Sequence, residues 1–197
     1  MYLYFVRHGQ SEGNVIRTFH GQTDYPLTEL GREQARQAGE KLRADGVTFS
    51  RCLASDLTRA WDTALCCLEG YDITPQPCPA LREQSVGDIE GMTWEEMGEK
   101  YPEIRQSYIS DWYHTTPPGG ESPEVLGARV GACVDEVIAR GEDTLLVAHF
   151  GSLSMVLRHL NLLEAAKADR EGWIIGQGTY SAIRIENGKA ELLCFNR

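Results

Sequence analysis

The sequence predicts an α/β protein with three layers, in which helices cover both faces of a mostly parallel sheet. Two apolar runs, Tyr2 to Val6 and Thr144 to Ala148, are typical of strands that are buried on both faces. Each run is closely followed by a histidine, His8 or His149, and then by a glycine and a helical pattern. We therefore expect both histidines at the carboxyl ends of parallel strands, where α/β proteins bind ligands.

Length and composition fit a single domain spanning residues 1–197. The chain has 197 residues, of which 42% are hydrophobic and 24% charged, enough to bury a sizeable core. Its net charge of −10 argues against binding to nucleic acid or to an anionic membrane. No apolar run has the length of a membrane span or a signal peptide, so we expect a cytoplasmic protein. The six cysteines lack paired spacing and are expected to be reduced.

Helix and strand patterns alternate after the first strand. A helix is predicted over about 29–44, with Thr28 as its N-cap. A short strand at 49–54 precedes a helix that is predicted to begin at Ser55-Asp56 and to run to about residue 68. Prolines alternate with other residues over 73–78, which predicts an edge strand.

The second half of the chain continues this alternation. A charged and aromatic segment at 94–114 is interpreted as part of a cap across the cleft, and a helix is predicted over about 123–140 with Ser122 as its N-cap. The second buried strand leads into a helix at about 153–162. The chain closes with a β-hairpin, 178–185 and 189–195, that turns at an Asn-Gly pair.

The segment after the first strand carries side chains that suit an oxyanion. Arg7 supplies a fixed cation with forked donors, and His8 supplies an imidazole that can act as nucleophile, acid or base. Ser11 and Asn14 add short polar groups, and nearby glycines let the backbone approach a ligand. Phosphate is the expected ligand. In the alternative interpretation, Arg7 forms a salt bridge at the strand end and His8 is an ordinary turn residue.

The octet from Arg7 to Asn14, RHGQSEGN, resembles the signature of the histidine phosphatase superfamily, the phosphoglycerate mutase-like enzymes. That signature reads Arg-His-Gly-Glu/Gln-Ser/Thr, two further residues and Asn, and later residues extend the resemblance over nearly the whole chain. The resemblance implies a phosphoglycerate mutase-like fold with a small helical insertion. We assign residues 84–121 to this insertion and call it the cap.

A second arginine, Arg59, is expected near the same strand edge because it falls in the first turn of the second predicted helix. An exposed helical arginine commonly pairs with an acid one turn away, here Asp56 or Asp62. The pattern from Ser55 to Ala64, however, resembles the surroundings of the second phosphate-binding arginine of the family. The resemblance therefore implies that Arg59 binds phosphate.

Two carboxylates compete for the role of proton donor. In the family, a leucine, one residue and a glutamate precede a Gly-x-x-Glu-Gly segment, and that first glutamate donates the proton. Glu83 matches this position, and Glu90, inside the later segment, is the alternative. The motif position favours Glu83.

The resemblance implies further contacts with the ligand. It brings His149 beside His8 and brings Glu121 and Ser122, from a Pro-Gly-Gly-Glu-Ser loop, to the site. Phe150 stands where the family has a small residue and is expected to narrow the pocket. Two more residues of the loop before the first long helix could contact the ligand, although a loop position also favours exposure to solvent. These residues are His20 and Gln22.

The resemblance implies a metal-independent phosphatase that hydrolyses small phosphate monoesters. His8 would form a phosphohistidine, Glu83 would be the proton donor, Arg7, Arg59 and His149 would hold phosphate oxygens, and no cofactor is required. Its implied substrates are phosphosugars, phosphoglycerates or α-ribazole phosphate.

A cofactor-dependent phosphoglycerate mutase is the alternative, although the chain lacks the insertion that those enzymes carry after their proline loop. A non-catalytic phosphate-binding module is a third hypothesis. A zinc hydrolase is disfavoured, because the five histidines lack ligand spacing. The expected partner is the small-molecule ester, without nucleic acid or membrane, and a homodimer is compatible with the sequence.

Overall fold

The computed structural model describes residues 1–168 and 174–197. In these ranges six strands form one sheet. The strands are β1 (Tyr2–Arg7), β2 (Arg51–Ala54), β3 (Gln76–Pro77), β4 (Thr144–Ala148), β5 (Ser181–Glu186) and β6 (Lys189–Cys194). The helices are α1 (Glu12–Ile16), α2 (Glu29–Ala44), α3 (Thr58–Cys67), α4 (Trp94–Lys100), α5 (Pro102–Asp111), α6 (Pro123–Arg140), α7 (Phe150–His159) and α8 (Leu163–Ala168). Short 3₁₀ turns lie at Pro79–Leu81, Gly87–Ile89 and Trp112–His114.

The strand order across the sheet is β3-β2-β4-β1-β5-β6. The pairings β1 with β4, β4 with β2, and β2 with β3 are parallel, whereas β5 pairs antiparallel with β1 and with β6. Arg7 lies opposite Ala148, and Ala54 lies opposite Val147. The carboxyl ends of three neighbouring strands are therefore level at one edge of the sheet, which is where the sequence predicts the site.

Helices cover both faces of the sheet. Leu3, Phe5 and Leu146 pack on one face against α6 and α7, while Tyr4 and Val147 pack on the other face against α2 and α3. Successive strand residues point to opposite faces, so a strand with a helical layer on each side is apolar at consecutive positions. The three-layer α/β prediction is confirmed.

Several predicted boundaries are confirmed. Helix α2 covers 29–44, and the Thr28 hydroxyl accepts a hydrogen bond from the Gly31 N–H at 3.1 Å. Helix α6 covers 123–140, with Ser122 accepting from the Val125 N–H at 3.2 Å. The closing hairpin turns at Asn187-Gly188, where both residues have positive φ, as this turn type requires.

The predicted start of α3 at Ser55-Asp56 is wrong. Ser55 extends the strand, since its N–H donates to the Val147 carbonyl at 2.9 Å. A side chain from a distant loop caps the N-terminus of α3 instead: the Asp24 carboxylate accepts hydrogen bonds from the Thr58 N–H at 2.8 Å and from the Thr58 hydroxyl at 2.6 Å. Asp56 pairs with Arg82 at 2.7 Å.

Helix α7 begins at Phe150, three residues before the predicted start at 153. His149 is the residue before the helix, and the Ser152 hydroxyl accepts a hydrogen bond from the His149 N–H at 3.1 Å. The serine therefore caps the helix from inside its first turn, a role that apolar periodicity alone does not reveal.

The cap, residues 84–121, contains α4 and α5 and a small apolar cluster of its own. Val86, Ile89 and Met97 are buried together, and Phe19 and Tyr108 pack against them. The division into one domain with a cap stays a prediction. In the part of the chain that the structure describes, no helix has both the length and the apolar character to cross a membrane. The six cysteines are free.

Candidate active site

Two histidines meet at the level carboxyl ends of β1 and β4. The ring centroids of His8 and His149 are 5.1 Å apart. The His8 N–H donates to the Ala148 carbonyl at 2.9 Å, which continues the ladder between the two strands by one residue. Both side chains are buried, with exposures of 3% and 0%. The predicted juxtaposition therefore follows from the register of neighbouring parallel strands.

The hydrogen bonding of His8 assigns its tautomer. Its Nδ1 lies 2.7 Å from the Gly9 carbonyl oxygen, which can only accept, so Nδ1 carries the proton and Nε2 has a free lone pair. Burial and the nearby Arg59 and Arg7 cations hold the pKa of His8 well below its usual range. His8 is therefore uncharged at neutral pH and can act as a nucleophile through Nε2.

His149 has one satisfied nitrogen and one unsatisfied nitrogen. Its Nε2 is 2.8 Å from the Ser55 hydroxyl, and the Leu57 N–H occupies an acceptor position of that hydroxyl at 3.4 Å. Burial, reinforced by His8 and the arginines, lowers the pKa of His149 well below its usual value. The other nitrogen, Nδ1, is buried and has no protein hydrogen-bond partner within ordinary distance and angle.

Two guanidinium groups flank the histidines. Arg59 is 1% exposed, and its two terminal nitrogens donate to the Thr23 carbonyl at 2.9 Å and to the Gly21 carbonyl at 2.7 Å. Arg7 donates to the Ile175 carbonyl at 3.0 Å, and its guanidinium lies 5.4 Å from the centroid of the Phe150 ring. Burial lowers the pKa of each arginine, and Glu83 opposes that shift. Arginine remains a cation under such conditions.

The helical ion pairs proposed as the alternative role of Arg59 do not form. Asp56 is engaged by Arg82, and Asp62 pairs with Arg32 at 3.2 Å. Arg59 points inward and binds loop carbonyls instead. This geometry agrees with the interpretation of Arg59 as a residue of the site.

Unpaired polar atoms of the described residues gather at this one place. Four buried side-chain atoms lack a protein hydrogen-bond partner: Arg7 Nε, Thr18 Oγ1, Arg59 Nε and His149 Nδ1. Native proteins satisfy nearly all buried polar groups, so such atoms call for an explanation. Two of them, Arg7 Nε and Arg59 Nε, are cationic N–H donors. The set suits a ligand with several acceptor oxygens.

Glu83 faces the same cavity and is held by two backbone amides. Its Oε1 accepts from the Gln84 N–H, and its Oε2 accepts from the Gly151 N–H, both at 3.0 Å. A Cβ at Gly151 would lie 2.2 Å from Oε1. Glycine at this position is therefore what lets the carboxylate approach the first turn of α7.

A partly buried ion pair that the sequence did not predict braces Glu83. Arg129 on α6 donates to the Ala80 carbonyl at 2.7 Å, to the Glu83 carbonyl at 2.9 Å and to the Glu121 carboxylate at 2.6 Å. Glu121, expected to contact ligand, is thus engaged in this brace. Ser122, for which the resemblance implied the same role, is 4% exposed and caps α6.

A cavity of about 360 Å³ opens beside His8, within the usual size of small-molecule sites. Its described lining residues are Arg7, His8, Asn14, Thr18, Phe19, His20, Gly21, Arg59, Glu83, Gln84, Val86, Trp112, Phe150, Gly151 and Ser154. The predicted site residues that lie outside this lining are Ser11, Gln22, Glu121, Ser122 and His149. The Ser11 hydroxyl is buried against Asn14 at 3.2 Å, and the Gln22 side chain donates to the Glu83 carbonyl at 3.1 Å.

Sequence reasoning missed part of the cavity wall. Thr18, Phe19, Gln84 and Val86 carry no motif, and Trp112 could be identified only as one of several cap aromatics. Phe150, which is expected to narrow the pocket, is one of the residues that line the cavity. Among the described residues, no group of three or more His, Cys, Asp or Glu side chains is arranged to hold a metal ion.

The fold and the site together define a class: an α/β protein that presents two buried histidines and two guanidinium groups at the carboxyl edge of its sheet. The family model of the histidine phosphatase superfamily (branch 1) matches residues 3–197. The chain belongs to this superfamily, as its sequence motifs predicted.

Relatives within the superfamily have two kinds of names. The adenosylcobalamin/α-ribazole phosphatase of Salmonella typhimurium is 33% identical over 198 residues, which cover 100% of this chain and 96% of the relative. The 2,3-bisphosphoglycerate-dependent phosphoglycerate mutase of Nitrobacter winogradskyi is 38% identical over 168 residues, 82% of this chain and 81% of the relative. The structure of the α-ribazole phosphatase of Shigella flexneri superposes with a TM-score of 0.88 at 29% identity, covering 100% of this chain and 96% of that one.

The two buried histidines predict a pH dependence of stability. Their pKa values in the folded protein lie below 6.5, so the unfolded chain takes up protons first as the pH falls through that value. The free energy of unfolding should then decrease, by up to about 1.4 kcal/mol per pH unit for each histidine. Denaturant unfolding between about pH 4 and pH 7 measures this slope. His8→Asn should have a shallower slope than the wild type, and equal slopes would contradict the prediction.

Proposed function

We propose that this protein hydrolyses small phosphate monoesters through a phosphohistidine intermediate on His8. The observation that supports the proposal most directly is the pair of unpaired, buried, cationic donors, Arg7 Nε and Arg59 Nε, beside an uncharged histidine with a free Nε2. Each charge-assisted hydrogen bond to a phosphate oxygen contributes about 1.5 to 3 kcal/mol. Charge neutralisation and positioning are the main needs of phosphoryl transfer.

The reaction has two steps in this proposal. In the first, the Nε2 lone pair of His8 attacks phosphorus, the bond between phosphorus and the leaving oxygen breaks, and Glu83 gives its proton to that oxygen. In the second, water attacks the phosphohistidine, Glu83 takes a proton from the water, the P–N bond breaks and inorganic phosphate leaves. A protonated carboxyl keeps acceptor capacity, so the two backbone amides can hold Glu83 throughout.

The wall of the cavity indicates which alcohols fit as leaving groups. Four of its members are apolar: Phe19, Val86, Trp112 and Phe150. The arginines in the described lining are Arg7 and Arg59, which the phosphate itself would engage. A second negative charge on the substrate, such as the carboxylate of phosphoglycerate, would then lack a dedicated partner. We infer that the preferred leaving group is neutral and carries a ring.

α-Ribazole phosphate meets this description, because its leaving alcohol is a ribose that bears an aromatic base. Relatives named α-ribazole phosphatase align with the full length of the chain and superpose closely on it. They support this compound as the first substrate to test. A second candidate function is phosphoglycerate mutase, because several relatives carry that name. It would use the same histidine to pass a phosphoryl group between hydroxyls.

A substrate panel tests the proposal. Phosphate release from α-ribazole phosphate, 4-nitrophenyl phosphate and 3-phosphoglycerate is followed with a chelator present. We expect kcat/KM for α-ribazole phosphate to exceed that for 3-phosphoglycerate by about tenfold or more, because the carboxylate loses its water without gaining a cation. Conversion of 3-phosphoglycerate to its 2-isomer with added bisphosphoglycerate, without phosphate release, would favour the mutase. No reaction in either assay would favour a binding module.

A further inference from the structure

The Glu90 carboxylate hydrogen-bonds to a loop and does not line the cavity. It is not among the described lining residues, and its carboxylate accepts three hydrogen bonds from residues 21–23, which we call the strap. The donors are the Gly21 N–H at 3.0 Å, the Gln22 N–H at 2.9 Å and the Thr23 hydroxyl at 2.7 Å. A carboxylate is suited to this position because it can accept every one of these bonds.

The opposite side of the strap holds Arg59. The Gly21 carbonyl accepts from Arg59 Nη2 at 2.7 Å, and the Thr23 carbonyl accepts from Nη1 at 2.9 Å. One hydrogen of each terminal nitrogen is thereby fixed, and with it the plane of the guanidinium. The buried Nε–H has no protein partner and is available to an anion. The strap thus joins the Glu90 carboxylate directly to the orientation of Arg59.

Close packing keeps the strap from relaxing independently of Glu90. A Cβ at Gly21 would lie 1.9 Å from the Gln84 carbonyl oxygen and 2.9 Å from Glu90 Oε1. Next to the strap, Phe19 forms two backbone hydrogen bonds with the segment that follows Glu90. The Phe19 N–H donates to the Met92 carbonyl at 2.8 Å, and the Phe19 carbonyl accepts from the Gly91 N–H at 2.7 Å. A shift of the Glu90 segment must therefore move the carbonyls that hold Arg59.

We infer that Glu90 is a positioning residue for phosphate binding, acting through the strap on the guanidinium of Arg59. This inference rests on the proposed function. It also explains why a carboxylate of the cap, Glu90, stands near a proton donor, Glu83, without sharing its role.

The test is a double-mutant cycle read out by binding of inorganic phosphate. Glu90→Gln places an amide NH₂ among N–H donors, which removes at least one hydrogen bond to a charged acceptor. We expect phosphate affinity, measured by calorimetry, to fall about tenfold or more. Glu96→Gln is the matched control, because it makes the same change in the cap, where the Glu96 carboxylate accepts from the Thr93 N–H at its own helix N-terminus. Its affinity should stay within about twofold of the wild type.

The Arg59→Lys background separates positioning from a general loss of structure. Lysine lacks the fork that the strap carbonyls orient, so Glu90→Gln should then add less than about twofold. The same tenfold loss in both backgrounds would overturn the inference. If Glu90→Gln does not fold, Thr23→Val removes one of the three bonds. We expect it to weaken phosphate binding by roughly threefold, and again only when Arg59 is present.

Turnover supplies a second readout. Glu90→Gln should lower kcat/KM equally for 4-nitrophenyl phosphate and for an alkyl phosphate, since phosphate positioning does not depend on the leaving group. A selective loss on the alkyl ester would assign proton donation to Glu90 and overturn the inference. If the wild type is active and Glu90→Gln changes neither phosphate affinity nor kcat/KM, the inference is overturned and the proposed function is not. A wild type that neither binds phosphate nor cleaves any ester overturns the proposed function and the inference together.

Discussion

His8→Asn is expected to lower phosphatase activity by about 10⁴-fold or more, because it removes the nucleophile and closes the covalent route. Asparagine is chosen because its amide can still donate to the Gly9 carbonyl, as His8 Nδ1 does at 2.7 Å. Phosphate release from the panel esters measures the loss. Rapid acid-free quenching should also trap a base-stable phosphoenzyme in the wild type, and none in the variant.

The control for this variant is His159→Asn, the same substitution at a partly exposed histidine that pairs with Asp135 at 2.8 Å at the end of α7. It should retain the activity of the wild type. Substantial turnover by His8→Asn, or a phosphoenzyme that forms without His8, would show that another group is the nucleophile.

Glu83→Gln should lower kcat/KM for an alkyl phosphate by about 10² to 10⁴-fold, the usual contribution of a general acid. The loss on 4-nitrophenyl phosphate should be much smaller, because nitrophenolate leaves without a proton. Glutamine is nearly isosteric, so Oε1 can still accept from a backbone amide in this tight position beside Gly151. Steady-state kinetics on both esters give the ratio. An equal loss on both esters would contradict the assignment of Glu83 as the acid.

The match between sequence and structure is best where a local pattern determines the outcome. Buried apolar runs define β1 and β4, and adjacent parallel strands necessarily align the residues that follow them, so the pattern of the chain is sufficient to bring His8 and His149 together. The N-caps Thr28 and Ser122 were predictable for the same reason, because capping depends on residues three positions apart. The family motifs added Arg59 and Glu83, which also lie at this cavity.

The misses have a common physical origin in contacts between distant segments. Asp24 caps the N-terminus of α3 from 34 residues away. Ser55 and Asp56, the N-cap that the local sequence predicted, therefore bond to other groups. Arg129 braces Glu83 across 46 residues, and no local sequence pattern at either residue predicts this contact. The same brace engages Glu121, for which the motif implied a ligand contact. A sequence encodes such pairs only through the fold that brings them together.

The apolar cluster of the cap is separate from the two clusters that flank the sheet, and this separation has an evolutionary consequence. Helix α5, all of whose residues the structure describes, buries none of them, so most substitutions on it should change stability by no more than about 0.5 kcal/mol. Substitutions can therefore accumulate on α5 in descendants of this chain while the cavity, whose described lining contains no residue of α5, keeps its wall.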